Sequence, residues 1–102
     1  VTGLPANAAG YNVYVYADGD NGAVQRTATY QISGPGISST SVSLTDNPNT
    51  NFNGVFQQAN SSAGNYVLFT ITATQFTITA IPGPSGDTNP RAPVNAIQIV
   101  PN

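Results

Sequence analysis

The segment 11–21, YNVYVYADGDN, constrains the fold of this chain more than any other. Val13 and Val15 alternate in it with more polar residues, which is the period of two that a half-buried β-strand imposes on its side chains. The segment then changes abruptly to a turn rich in Asp, Gly and Asn. It therefore predicts a strand with valines on its inner face, Tyr14 and Tyr16 on its outer face and an acidic loop at its end.

The same alternation returns in short runs of β-branched and aromatic residues, separated by stretches rich in Gly, Pro and Asn. At 102 residues the chain is long enough for one domain with a single core. About eight short strands at this spacing, with no convincing helical stretch, predict an all-β antiparallel sandwich. The first predicted strand ends at Pro5 and the second covers 11–17. The other predicted strands cover 26–33, 38–45, 54–58, 65–72, 75–81 and 94–100.

Two finer expectations follow from the strand pattern. The two or three residues between 65–72 and 75–81 predict that these strands form a hairpin. The inner faces of the strands should together form the hydrophobic core. The predicted core residues are Val13, Val15, Tyr30, Val42, Leu44, Val67, Phe69, Phe76, Ile78, Ile97 and Ile99.

Charged residues are unusually few, at 6% of the chain against roughly 25% in an ordinary soluble domain. Arg26 and Arg91 are the only basic residues, and lysine, glutamate, histidine, cysteine, methionine and tryptophan are absent. Two scattered arginines and a net charge of −2 cannot form the basic surface that nucleic acids or anionic membranes require. We therefore expect neither partner, and the missing ligand types exclude zinc and haem sites.

The same residue inventory disfavours catalysis. Only Asp, Ser, Tyr and Arg remain as candidate catalytic groups. A hydrolase with two aspartates needs one carboxyl whose pKa is raised by an apolar pocket, whereas Asp18 and Asp20 follow one another in a Gly/Asn turn. We therefore predict that the chain is not an enzyme, with an Asp-based glycosidase as the alternative that turnover would reveal.

Calcium is a candidate structural cofactor. Asp18, Asp20 and Asn21 offer two carboxylates and an amide in a loop containing glycines, and calcium binds hard oxygen ligands in flexible geometry. Asp46 or Asp87 could add ligands from elsewhere in the fold. The alternative interpretation is that these residues are ordinary turn formers.

A sugar-binding site is the more specific hypothesis. Sugars present apolar C–H faces with hydroxyl rims, so their sites combine aromatic rings with amide, carboxylate or guanidinium groups. Tyr14 and Tyr16 project from one strand face about 7 Å apart. The alternative interpretation is that these tyrosines pack under a loop and bind nothing. Arg26 and Arg91 could likewise bind carboxylates or carbonyls of loops instead of a ligand. Further candidates are Gln31 beside the tyrosines on the next strand, Phe52 in the Asn-rich loop, and Arg91 with Asn95.

Segment 91–101, RAPVNAIQIVP, is similar to the closing strand of galactose-binding-like jelly rolls, especially malectin-like and related bacterial carbohydrate-binding modules. Segment 11–20, YNVYVYADGD, resembles the second strand of such domains, and 64–67, GNYV, a strand that pairs late in the sheet. The resemblance implies a jelly roll of eight to ten strands, often with a structural calcium and often attached to a glycoside hydrolase. Many such modules use a tryptophan against the sugar; here tyrosine or phenylalanine would have to serve.

These observations together predict a non-catalytic carbohydrate-binding module that stacks aromatic side chains on a neutral polysaccharide of the β-glucan or hemicellulose type. We expect a monomeric extracellular domain of a secreted bacterial protein. The chain opens with VTGLP, in the middle of a strand pattern, so we also expect the domain to be covalently linked to a catalytic or other domain. The alternative function is a structural spacer or adhesion domain of a large surface protein, without a glycan site.

Overall fold

The computed structural model describes residues 1–83 and 89–102, so the candidate calcium ligand Asp87 lies outside the described residues. Seven strands and no helix occur in this part of the chain, and none of it could therefore cross a bilayer as a helix. The strands are β1 (Tyr11–Tyr16), β2 (Arg26–Gly34), β3 (Ile37–Asp46), β4 (Ser62–Ala63), β5 (Tyr66–Ile71), β6 (Thr77–Pro82) and β7 (Ala96–Pro101).

The strands form two sheets. One has three antiparallel strands in the order β5-β1-β7, and the other has four strands in the order β4-β3-β2-β6, antiparallel except for the short parallel pair β3–β4. The all-β class is confirmed. The expected eight to ten strands are too many, because the described residues contain seven.

Two predicted strands are replaced by loops. The one that ends at Pro5 is interrupted at Gly3, whose φ is 76°. Residues 54–58 form no strand, since Gly54 has a φ of 88° and the Val55 N–H donates to Asn53 Oδ1 at 3.1 Å, which is a turn. Val55 and Phe56 are consequently 62% and 60% exposed. The two-residue strand β4 forms instead, between the predicted strands 54–58 and 65–72.

The predicted hairpin between the fifth and sixth strands is wrong. Strand β5 pairs with β1, and β6 pairs with β2 in the other sheet. The chain that connects them is held by the N-terminal segment, because Val1 and Phe76 exchange hydrogen bonds of 2.8 and 2.9 Å and Leu4 N–H donates to Thr74 O at 3.0 Å. These bonds use backbone groups that a tight hairpin would have paired internally.

Buried residues from both sheets form one hydrophobic cluster. Tyr30 is fully buried in it and its hydroxyl donates to Pro93 O at 2.6 Å. Ile97 is a wrong core prediction: it is 40% exposed, because β7 is the last strand of its sheet. Of the other predicted core residues, Val13, Val15, Tyr30, Leu44, Val67, Phe69 and Phe76 are buried, and Val42, Ile78 and Ile99 pack partly buried against them.

Candidate functional site

Three tyrosines lie together on the outer face of the three-stranded sheet. Because Val13 and Val15 face the core, Tyr14 and Tyr16 on β1 face outwards, and Tyr66 on β5 is the direct register partner of Tyr16. The rings of Tyr14 and Tyr16 are stacked with centroids 6.4 Å apart, and each lies 5.9 Å from the ring of Tyr66. The prediction that Tyr14 and Tyr16 point outwards from one strand is therefore confirmed.

Two phenylalanines extend the tyrosine cluster away from the sheet. The Phe56 ring meets Tyr16 edge-on at 5.3 Å, and the Phe52 ring lies 5.0 Å from Phe56. These phenylalanines are 60% and 49% exposed. The five connected rings, Tyr14, Tyr16, Tyr66, Phe56 and Phe52, are called the aromatic surface below.

Asn65 fixes the loop that carries the phenylalanines. Its Oδ1 accepts a hydrogen bond from Gln57 N at 2.8 Å and its Nδ2 donates to Val55 O at 2.9 Å. Asn65 immediately precedes β5, so one side chain ties the loop on both sides of Phe56 to the sheet. The ring of Phe56 is therefore held beside Tyr16 although it sits in a loop.

A groove of about 490 Å³ lies beside three rings of the aromatic surface, Tyr16, Phe56 and Phe52. Asn95 and Ala96 also line it. Asn95 is positioned by two hydrogen bonds, since its Oδ1 accepts from Asp18 N at 2.6 Å and its N–H donates to Tyr16 O at 2.8 Å. The groove thus combines exposed rings with a fixed amide, as a stacked and hydrogen-bonded ligand requires.

A smaller polar pocket of about 200 Å³ adjoins the groove. The two share Asp18, Phe52 and Asn65, and the polar pocket adds Asp46 and several amide side chains. The pKa of Asp46 lies above its ordinary value, chiefly because burial disfavours the charged carboxylate and further because Asp18 is nearby. A weak hydrogen bond from Gly19 N to Asp46 Oδ2, at 3.4 Å, opposes this rise.

Replacing Asp46 by asparagine is expected to raise the melting temperature at neutral pH. A carboxyl whose folded pKa is raised stabilises the protein below the ordinary aspartate range, and this contribution is lost as the pH rises through the folded pKa. Thermal unfolding at neutral and acidic pH should therefore show a larger gain for Asp46→Asn at neutral pH. Asp20→Asn, at an exposed aspartate, controls for the lost charge. A gain confined to acid would contradict the interpretation.

Of the predicted calcium ligands, Asn21 has a side chain that is engaged by other groups. Asn21 is buried, and its Nδ2 donates to the carbonyl oxygens of Val24, Asp46 and Asn47, so its side chain joins two loops. Asp20 is exposed and its backbone carbonyl accepts from Arg26 Nη1 at 3.1 Å. Across residues 1–83 and 89–102 no group of three or more His, Cys, Asp or Glu side chains is placed to hold a metal ion.

The remaining sequence candidates divide into two groups. Phe52 and Asn95 both line the groove with Tyr16. Gln31 does not lie beside Tyr14 and Tyr16, because it belongs to β2 in the other sheet. Arg91 is exposed and lines neither the groove nor the polar pocket.

Four contributors to the site were not predicted from the sequence. Tyr66 could have been placed on an outer face, since Val67 and Phe69 alternate with it, but its pairing with β1 carries no local signal. Gln98 accepts the Tyr16 hydroxyl hydrogen bond at 2.8 Å, from the position opposite Tyr14 on β7. Phe56 and Asn65 act through a loop conformation that no periodicity predicts.

Comparison with protein-family models found no match to the chain, and comparisons with curated proteins and with solved structures found none either. The resemblance to galactose-binding-like jelly rolls therefore rests on the three sequence segments alone. The function must be inferred from the geometry of the aromatic surface and its groove.

Proposed function

We propose that this chain is a non-catalytic carbohydrate-binding module, built as a jelly-roll sandwich, which binds a neutral polysaccharide along the aromatic surface. The observation that carries the proposal is the run of five connected rings that leads from β1 and β5 to two exposed phenylalanines. Exposed apolar surface of this kind on a domain with few charges marks an interaction site.

The chemistry of the groove favours a sugar over a purely apolar ligand. The pyranose ring has an apolar face that stacks on Tyr16, Phe56 or Phe52, and hydroxyl groups that the fixed amide of Asn95 can bind. The carboxylates of Asp18 and Asp46 line the adjoining pocket, which disfavours acidic polysaccharides. Binding to a neutral β-glucan or hemicellulose should depend little on salt, because charge contributes little to it.

A binding role also accounts for the carboxylates without catalysis. Asp46 accepts hydrogen bonds from Gly19 N and Thr50 Oγ1, so its carboxylate joins two loops. An Asp-based glycosidase would instead release soluble sugar. The alternative role of spacer or adhesion domain leaves the groove without a glycan.

Native electrophoresis through gels containing soluble polysaccharides tests the proposal. One class of neutral polysaccharide should retard the protein, and Tyr16→Ala or Phe56→Ala should each weaken binding about ten-fold, since each removes one stacking ring. Ile81→Ala is the matched control, because it truncates an exposed apolar residue of the other sheet. Circular dichroism checks that each variant is folded.

The same gels separate the competing interpretations. Unretarded migration in every polysaccharide would favour the spacer, and sugar released on incubation would favour the glycosidase. Retardation that disappears with EDTA and returns with calcium would support a calcium ion held by Asp18, Asp20 and Asn21. We propose an extracellular location in a secreted bacterial protein on composition alone, and attachment to a further domain on the resemblance to carbohydrate-binding modules.

A further inference from the structure

The sequence contains two Asn-Gly pairs, Asn21-Gly22 and Asn53-Gly54. An asparagine before glycine is chemically vulnerable, because the glycine nitrogen has no neighbouring side chain to shield it and can attack the asparagine side-chain carbon. The two asparagines differ in their surroundings: Asn53 is exposed and Asn21 is buried.

Asn53 is exposed and lies in the loop between Phe52 and Phe56. Its Oδ1 accepts a hydrogen bond from Val55 N at 3.1 Å, closing a ring of atoms that contains the Gly54 nitrogen. The Asn53 side chain is thus folded back towards the Gly54 nitrogen, which is the atom that attacks Asn53 Cγ. The Val55 N–H would stabilise negative charge on Oδ1 during that attack, as an oxyanion hole does.

Gly54 leaves open space beside the attacking nitrogen. Its φ is 88°, and a Cβ built at this position would have no heavy atom within 4 Å. Residues 49–58 are all exposed. Asn65 holds the loop at Val55 O and Gln57 N, so the Asn53 side chain, which precedes both, can rotate into the cyclic imide without breaking those bonds.

Asn21 is held in place by its surroundings. The residue is 6% exposed, and its Nδ2 donates to the carbonyl oxygens of Val24, Asp46 and Asn47. Its amide nitrogen is the group that must leave in a deamidation, and these hydrogen bonds keep it in position. Reaction at Asn21 therefore requires prior local opening of the loops.

We infer that Asn53 is a site of spontaneous deamidation in the folded protein and that Asn21 is protected from it. The Gly54 nitrogen loses its proton to solvent base and forms a bond to Asn53 Cγ. The Cγ–Nδ2 bond then breaks and ammonia leaves with the proton, giving a cyclic imide. Water opens the imide at either carbonyl, producing aspartate or isoaspartate without any oxidant or reductant.

The product changes the site. One new carboxylate lowers the net charge from −2 to −3 and stands in the polar pocket that already contains Asp18 and Asp46. Isoaspartate additionally lengthens the backbone between the two phenylalanines of the aromatic surface. Aged protein would therefore carry an altered groove.

Incubation of the folded protein in mildly alkaline buffer, followed by peptide mass spectrometry, tests this inference. Trypsin cleaves after Arg26 and Arg91, so the two Asn-Gly pairs fall in different peptides, 1–26 and 27–91. In the folded protein Asn53 should convert at least about ten-fold faster than Asn21, because Asn21 must first break its hydrogen bonds. In urea, where both loops are open, the two rates should become similar.

Asn53→Gln is the matched variant, since it keeps an amide but should abolish the conversion in peptide 27–91. Equal conversion of the two pairs in the folded protein would overturn the inference. So would conversion of Asn53 that is much slower when folded than in urea, because the turn would then protect the residue. The measurement needs no sugar, so its result is independent of the proposed function.

Discussion

Replacing Gly10 by alanine is expected to reduce the free energy of unfolding by about 3 kcal/mol or more. Gly10 has a φ of 81°, a conformation that strains any residue with a Cβ. The added Cβ would also overlap the carbonyl oxygen of Ile71, the last residue of β5. The Cβ is placed rigidly by the backbone of residue 10 and the oxygen belongs to the backbone of Ile71, so no side-chain rotation can relieve the contact and the end of β5 must shift.

Gly36→Ala is the matched control for this prediction. Gly36 has a φ of 76°, but a Cβ there would have no heavy atom within 4 Å. Gly36→Ala should therefore reduce the free energy of unfolding only by the cost of the strained backbone conformation, about 1 kcal/mol. Urea denaturation of both variants measures the difference, with a lower midpoint and an unchanged slope for Gly10→Ala. Equal losses would show that the approach of Gly10 to Ile71 is unimportant.

The second large effect is a loss of stability at alkaline pH that depends on Tyr30. Burial, and then the charge of Asp46, raises the pKa of Tyr30 from 10.0 to about 12. A raised pKa gives stability that is fully present below pH 10 and lost as the pH rises to about 12. We expect the free energy of unfolding to fall by up to about 2 kcal/mol over this pH range. This is less than the whole pKa change implies, because the Tyr30 hydroxyl lies beside half-buried Pro93, where solvent screens its charge.

Tyr30→Phe should abolish this part of the alkaline fall. At neutral pH it should cost about 1 kcal/mol, for the lost hydrogen bond to Pro93 O. Tyr14→Phe, which removes a phenol from the sheet surface, is the control and should leave the fall in place. Denaturant unfolding between pH 9 and pH 12 measures both, and an undiminished fall in Tyr30→Phe would contradict the assignment.

Alternation was sufficient to locate most strands, because one buried face imposes its period directly on the residues. The predicted strands 11–17 and 26–33 differ from β1 and β2 by only one residue at an end. Alternation carries no information on partners, and this explains the wrong hairpin: 65–72 and 75–81 are adjacent in sequence but pair in different sheets. The partner of β5 is set by core packing across the whole domain.

For the site, too, the sequence predicted which way side chains point on a strand but not which strands and loops come together. The outward direction of Tyr14 and Tyr16 follows from Val13 and Val15 alone. Gln31 was placed beside them because it is on the next strand in sequence, but that strand crosses to the second sheet. Contributions from loops depend on single hydrogen bonds to distant side chains, and such bonds leave no periodic trace.

The attachment of the phenylalanine loop has a consequence for how this domain can change in evolution. Asn65 holds the loop through backbone groups of Val55 and Gln57, so the bonds do not depend on which side chains the loop carries. Phe52, Val55 and Phe56 can therefore be exchanged while the loop keeps its place, whereas Asn53 and Gly54 must stay because they form its turn. Ligand preference is thus separable from folding, and variant libraries confined to this loop should yield folded proteins with new specificities.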